Sequence, residues 1–93
     1  MNRKQIWQEI ELSVRDSKRK FPNWPDHVAA QAGIVCESAG NILGVALKIK
    51  YDPENNEEEL IKQYKILKDL AINTAAVAIR FLENSKKYPN DKS

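Results

Sequence analysis

The sequence contains a single cysteine, Cys36. No disulfide can therefore close within the chain, and a reducing compartment is the expectation. Histidine is equally scarce: His27 stands alone, and a lone histidine without partners is seldom catalytic. Charge of one sign is lacking too. Fifteen basic residues face thirteen acidic ones, for a net +2, well short of the concentrated basic face that nucleic acid or a membrane surface requires. No stretch is read as approaching the roughly 20 apolar residues that cross a bilayer. No long apolar run follows Met1-Asn2-Arg3-Lys4-Gln5, so a signal peptide is not expected. These absences predict a soluble cytoplasmic protein with neither nucleic acid nor membrane as partner. What is present is ordinary for a globular domain, with 42% hydrophobic and 30% charged residues in a 93-residue chain that admits one domain and a modest core.

Glycine and proline are few, three and four respectively, and the prolines fall at Pro22, Pro25, Pro53 and Pro89. The stretches between them are rich in good helix formers, so the prolines mark joints between three helices. The first helix is expected over about Arg3 to Lys20, with Ile6, Ile10 and Val14 on one stripe and Trp7 beside them as core packing. Phe21 to Pro25 makes the turn, with Pro25 suited to the first position of the second helix and Asp26 to its positive end. The second helix is expected to reach Tyr51. Its seam is Val28, Ala32, Val35, Ala39, Ile42, Ala46 and Ile49, with Cys36 a small buried residue. After a loop from Asp52 to Asn56, Asn56 and Glu59 resemble a capping box that opens a third helix over about Glu57 to Glu83. Its seam is Leu60, Tyr64, Leu67, Ala71, Thr74, Ala78 and Phe81. The expected organisation is thus one all-α domain over residues 1–84, built on a long antiparallel helix hairpin, and a polar flexible tail over residues 85–93.

Helices two and three would each be close to 40 Å long at about 1.5 Å per residue. A shorter partner leaves much of their apolar surface open. The natural remedy is a homo-oligomer, dimer or tetramer, in which paired hairpins complete a four-helix bundle.

Polar residues also fall where a bundle is usually apolar. Glu37 and Asn41 are four apart on helix two, Ser38 and Asn41 three apart, and Gly33, Gly40 and Gly44 flank them. A glycine costs a helix about 1 kcal/mol against alanine, so three of them ask for close packing or room for a ligand. On helix three, Asn73 and Arg80 share a stripe with Gln63, Ile66, Leu70 and Val77. Closing the hairpin would set Glu37 and Asn41 across a groove from Asn73, and buried polar groups need partners there. The plain alternative is an exposed charge, solvated polar residues and ordinary contact glycines.

The run Phe21-Pro22-Asn23-Trp24-Pro25-Asp26-His27, the run Ile34-Val35-Cys36-Glu37-Ser38-Ala39-Gly40-Asn41-Ile42, and the run Asn73-Thr74-Ala75-Ala76-Val77-Ala78-Ile79-Arg80-Phe81-Leu82-Glu83 together resemble the MazG-like all-α nucleotide pyrophosphohydrolases. The resemblance spans residues 21–83 in order and spacing. It implies a bundle that cleaves nucleoside triphosphates to monophosphate and pyrophosphate, with carboxylates from two helices holding Mg²⁺. Within that pattern Glu37 is retained. Ser38, Asn41 and Leu70 stand where the family places acids, and Asn73 stands where it places Gln or Asp. Asp69 adjoins Leu70 but points about 100° away around the helix.

A single carboxylate is a weak metal ligand set, with Glu37 its only member, so the expectation is nucleotide binding without efficient hydrolysis. No cofactor is then required. The candidate nucleotide-binding residues are Trp24, His27, Glu37, Ser38, Asn41, Asn73 and Arg80. Trp24 or Tyr51 would stack on a base, while Arg80 and lysines such as Lys48, Lys50 and Lys68 would contact phosphate. Such a protein would sequester or sense a linear, cyclic or signalling nucleotide, as viral counter-defence proteins do. Two alternatives stand beside it. One is an active Mg²⁺-dependent pyrophosphohydrolase using Glu37. The other is a helical module that binds a partner protein.

Overall fold

The computed structural model describes residues 1–52, 54 and 56–85, and three helices account for most of them: α1 (Arg3–Lys20), α2 (Val28–Tyr51) and α3 (Glu57–Glu83). The expected loop residues Pro53 and Asn55, and the expected tail from residue 86 onward, lie outside the described residues. Local chemistry explains each helix start. Asn2 and Gln5 close a capping box: the Asn2 side chain accepts from the Gln5 amide at 2.9 Å, and the Gln5 side chain from the Asn2 amide at 3.1 Å. Asn56 accepts from the Glu59 amide at 2.8 Å. The reciprocal half of the expected box is missing there, because the Glu59 carboxylate instead accepts from the Gln63 side chain at 2.8 Å. Helix α2 begins three residues later than Pro25. His27 Nδ1 accepts from the Ala29 amide at 3.1 Å and caps the helix. Pro25 is held outside it, its carbonyl accepting from the buried Gln31 side chain at 2.7 Å.

Helix α3 is the central member. Both other helices pack on it and neither packs on the other. Helix α1 lies against its C-terminal half, where Ile10, Val14 and Ala76 form the core with Ile6, Ile72, Ala75 and Ile79 around them. Two contacts at the far ends show that α1 and α3 run the same way: Lys18 pairs with Glu83 at 3.1 Å, and Arg80 donates to the Ser17 carbonyl at 3.1 Å. Helix α2 returns antiparallel on another side of α3. Ile10, Val14, Ala76 and Val77 are the buried apolar residues among those described, matched by four buried polar ones, Gln31, Ser38, Gln63 and Arg80.

The stripe Ile6, Ile10 and Val14 packs as expected, but Trp7 is 54% exposed and stands outside the core. On α2 the expected seam is rotated. Val28, Ala32 and Ala39 face out, whereas Gln31 and Ser38 are buried, with Val35, Ile42, Val45 and Ile49 half-buried. The two most buried residues of α2 are polar, and an apolar-only reading of the period passes over them. Cys36, expected inside, is exposed. On α3 Tyr64 is exposed too. The expectation that no stretch suits a bilayer also needs correction. Helix α2 is long and apolar enough to cross one by length and composition, and only 6% of its most apolar window is buried in the chain.

Candidate functional site

Because α1 and α2 do not touch, a cleft opens between them, floored by α3 and closed at one end by the linker of residues 21–27. It encloses about 680 Å³, within the range of small-molecule sites. Four side chains of α1 line it: Ser13, Asp16, Ser17 and Lys20. Helix α2 adds Ile34, Glu37, Ser38 and Asn41, helix α3 adds Asn73, Val77 and Arg80, and the linker adds Phe21, Asn23, Trp24 and Pro25. Trp24, Glu37, Ser38, Asn41, Asn73 and Arg80, all expected from the sequence, therefore meet in one place. His27 does not, since its ring caps α2 and lies off the cleft. Nor do Tyr51, Lys48, Lys50 or Lys68 line it; the cations that do are Arg80 and Lys20.

Ser38 and Thr74 join α2 to α3. Their hydroxyls are 2.7 Å apart, Asn73 Nδ2 donates to Ser38 at 3.1 Å, and Thr74 donates to the Leu70 carbonyl at 2.8 Å. The Thr74 proton is used on Leu70, so the Ser38 hydroxyl donates to Thr74 and accepts from Asn73. Ser38 is thus a clamp between helices rather than a free ligand-binding group. Glu37 and Asn41 are exposed on the cleft wall.

Arg80 is 3% exposed although charged. Its Nη1 donates to both the Ser17 carbonyl and the Ser17 hydroxyl, at 3.1 and 2.9 Å, and its guanidinium carbon sits 4.7 Å from the Trp24 ring centre. Arg80 Nε and Trp24 Nε1 are buried donors with no acceptor. Such orphans are rare, because leaving a buried donor unpaired costs roughly 1–3 kcal/mol. Asp16 is held by Arg19 at 2.7 Å and Lys20 at 3.0 Å, and the hydrogen bonds from Arg19 and then Lys20 keep its carboxyl below the ordinary value.

The sequence reading missed the α1 wall. Its signal was there: Ser13, Asp16, Ser17 and Lys20 repeat at helical spacing beside the stripe of Ile10 and Val14. The Mg²⁺ that the family resemblance implies does not fit the residues present. Glu37 is the lone carboxylate that α2 and α3 bring to the cleft, and Ser38 and Thr74 are neutral and bonded to each other. Among the described residues no group of three or more His, Cys, Asp or Glu side chains is placed to hold a metal ion. Asp69 lies off the cleft, in a shallow depression with Leu12, Ser13, Asp16 and Ile72. Comparison with protein-family models, curated proteins and solved structures found no match to this chain.

Proposed function

We propose that this chain binds a nucleotide, linear or cyclic, in the cleft between α1 and α2, and holds it without efficient hydrolysis as a sequestering or sensing protein on a MazG-like scaffold. One observation carries the reading: the three separate runs that resemble that family each contribute to the wall of one cleft, through Trp24, Glu37 with Asn41, and Asn73 with Arg80. The chemistry of the wall suits such a ligand. The half-buried Trp24 ring offers a stacking surface for a base. Arg80 and Lys20 bring positive charge to the cleft lining, which suits a phosphate. Asn41 and Asn73 carry amides for base edges, and the unpaired Glu37 carboxylate accepts from a ribose hydroxyl or an exocyclic amine.

The rival reading, an Mg²⁺-dependent pyrophosphohydrolase, has one point in its favour. Asp16 brings a second carboxylate to the same cleft, although Arg19 and Lys20 already engage it. Incubation with a panel of linear and cyclic nucleotides plus Mg²⁺, followed by ultrafiltration and chromatography, separates the two. Intact nucleotide missing from the filtrate and recovered on denaturation supports sequestration. Monophosphate and pyrophosphate in the filtrate mean an enzyme. Every nucleotide passing through unchanged rejects both and leaves the helical protein-binding module.

A further inference from the structure

Within the chain, the glycines of α2 have no work to do. A Cβ built on Gly33, Gly40 or Gly44 meets nothing within 4 Å, yet each weakens the helix. All three lie on the side of α2 turned away from α3. Ala29, Cys36, Leu43 and Leu47 share that side, and at 100° per residue the seven fall within an arc of about 100° opposite Ser38. All seven are exposed, Leu43 at 61% and Leu47 at 46%. The surface is therefore small at its centre and towards the start of the helix, and large towards its end.

That polarity makes the face complementary to itself turned end for end. Rotating α2 about a point level with Ser38 sets Cys36 opposite Gly40, and Leu43 and Leu47 opposite Gly33 and Ala29. Each large side chain meets a small one, which is what a two-fold interface between identical surfaces demands. The antiparallel arrangement also sets the two helix dipoles head to tail, which attracts. The chain as a whole also exposes enough area for a partner to cover. The chain exposes 7440 Å² at a mass of 10.7 kDa, where a compact monomer of that mass exposes about 5500 Å². Even if residues 86–93 are allowed the full surface of an unfolded segment, about 1400 Å², the rest exceeds a compact monomer by roughly 900 Å². One partner in a standard-size interface buries about 800 Å².

We infer that the outward face of α2 is covered by the same face of a second copy of this chain, packed antiparallel with its two-fold axis level with Ser38. The inference names the face and register of the homo-oligomer expected from the sequence, and it is independent of what the cleft binds. All the measurements below are made without nucleotide, so a failure of the nucleotide reading leaves them untouched.

Sedimentation equilibrium of the full chain across the micromolar range should give twice the chain mass. Gly40→Leu should weaken dimerisation by at least about a hundredfold while circular dichroism still reports a folded helical chain, since nothing within the monomer crowds that position. Orientation is read by oxidising an equimolar mixture of two single-cysteine variants, Ala29→Cys and Leu47→Cys, each in a Cys36→Ser background. The mixed 29–47 disulfide should form, and the 29–29 and 47–47 species should not. A monomer at every concentration overturns the inference, as does a Gly40→Leu protein that still dimerises, or predominant like-with-like disulfides. So does flotation of the chain with phosphatidylcholine vesicles, which would make lipid the occupant of this face.

Discussion

Arg80 shows how much one side chain can organise. It is buried on α3, it ties the last turn of α1 through Ser17, and it lies over the ring of Trp24 in the linker, so three segments depend on one planar cation. Lysine cannot reproduce the forked donation or the flat stacking surface. Arg80→Lys should therefore lower unfolding stability by about 2 kcal/mol in urea titrations. Asp16 acts in a different way. Its carboxyl sits below the ordinary value of 3.8 because Arg19, and then Lys20, hydrogen-bond the charged form. A depressed folded-state value means that its contribution is present above the unfolded value and disappears as the pH falls through the folded one. Thermal melts taken from neutral pH down through 3.8 should show the wild type losing stability more steeply on acidification than Asp16→Asn, and the slopes should converge once the Asp16 carboxyl is protonated in both the folded and the unfolded chain.

At the level of the helices, periodicity and breakers defined α1 and α3 end to end. Prolines sat at the joints, and Asn56 announced the start of α3. The start of α2 was less legible. Pro25 looked like a first helical residue, and nothing in the letters says that an imidazole three residues on will do the capping, or that Gln31 will reach back for the Pro25 carbonyl. The α2 seam misled for a related reason. Gln31 and Ser38 are buried because each finds a hydrogen-bond partner, Gln31 at the Pro25 carbonyl of the linker and Ser38 at Thr74 of α3, and hydrophobicity cannot register that. Most of the cleft could be read from the resemblance of the three runs. Its α1 wall could not, because that resemblance begins at residue 21. The glycines belong at this scale too. At concentrations low enough for the chain to be monomeric, Gly44→Ala should raise stability by about 0.5–1 kcal/mol, since alanine is the better helix former and space is open around it. If two copies pair through this face as proposed, the gain should shrink in melts at high concentration, where the added methyl would meet the second copy.

The whole molecule is elongated, 53 × 28 × 25 Å, with a cleft whose walls belong to two helices joined only through a third. A ligand that touches both α1 and α2 would act as the missing contact between them. A nucleotide that binds only the folded chain, present at a hundred times its dissociation constant, should add about 2.7 kcal/mol to unfolding stability. Thermal shift across a nucleotide panel checks this, and the stabilising nucleotide should be the one that ultrafiltration retains. The central place of α3 also sets an order of events. Helix α1 leaves the ribosome first, yet its packing partners are the last turns of α3, with Ser17 and Arg80 separated by 63 positions. At translation rates of about 5–20 residues per second, α1 waits roughly 3–13 seconds for the surface it is shaped to meet. During that interval Ile6, Ile10 and Val14 are an uncovered apolar stripe on a nascent chain, and the earliest made of these three helices is the last one able to dock.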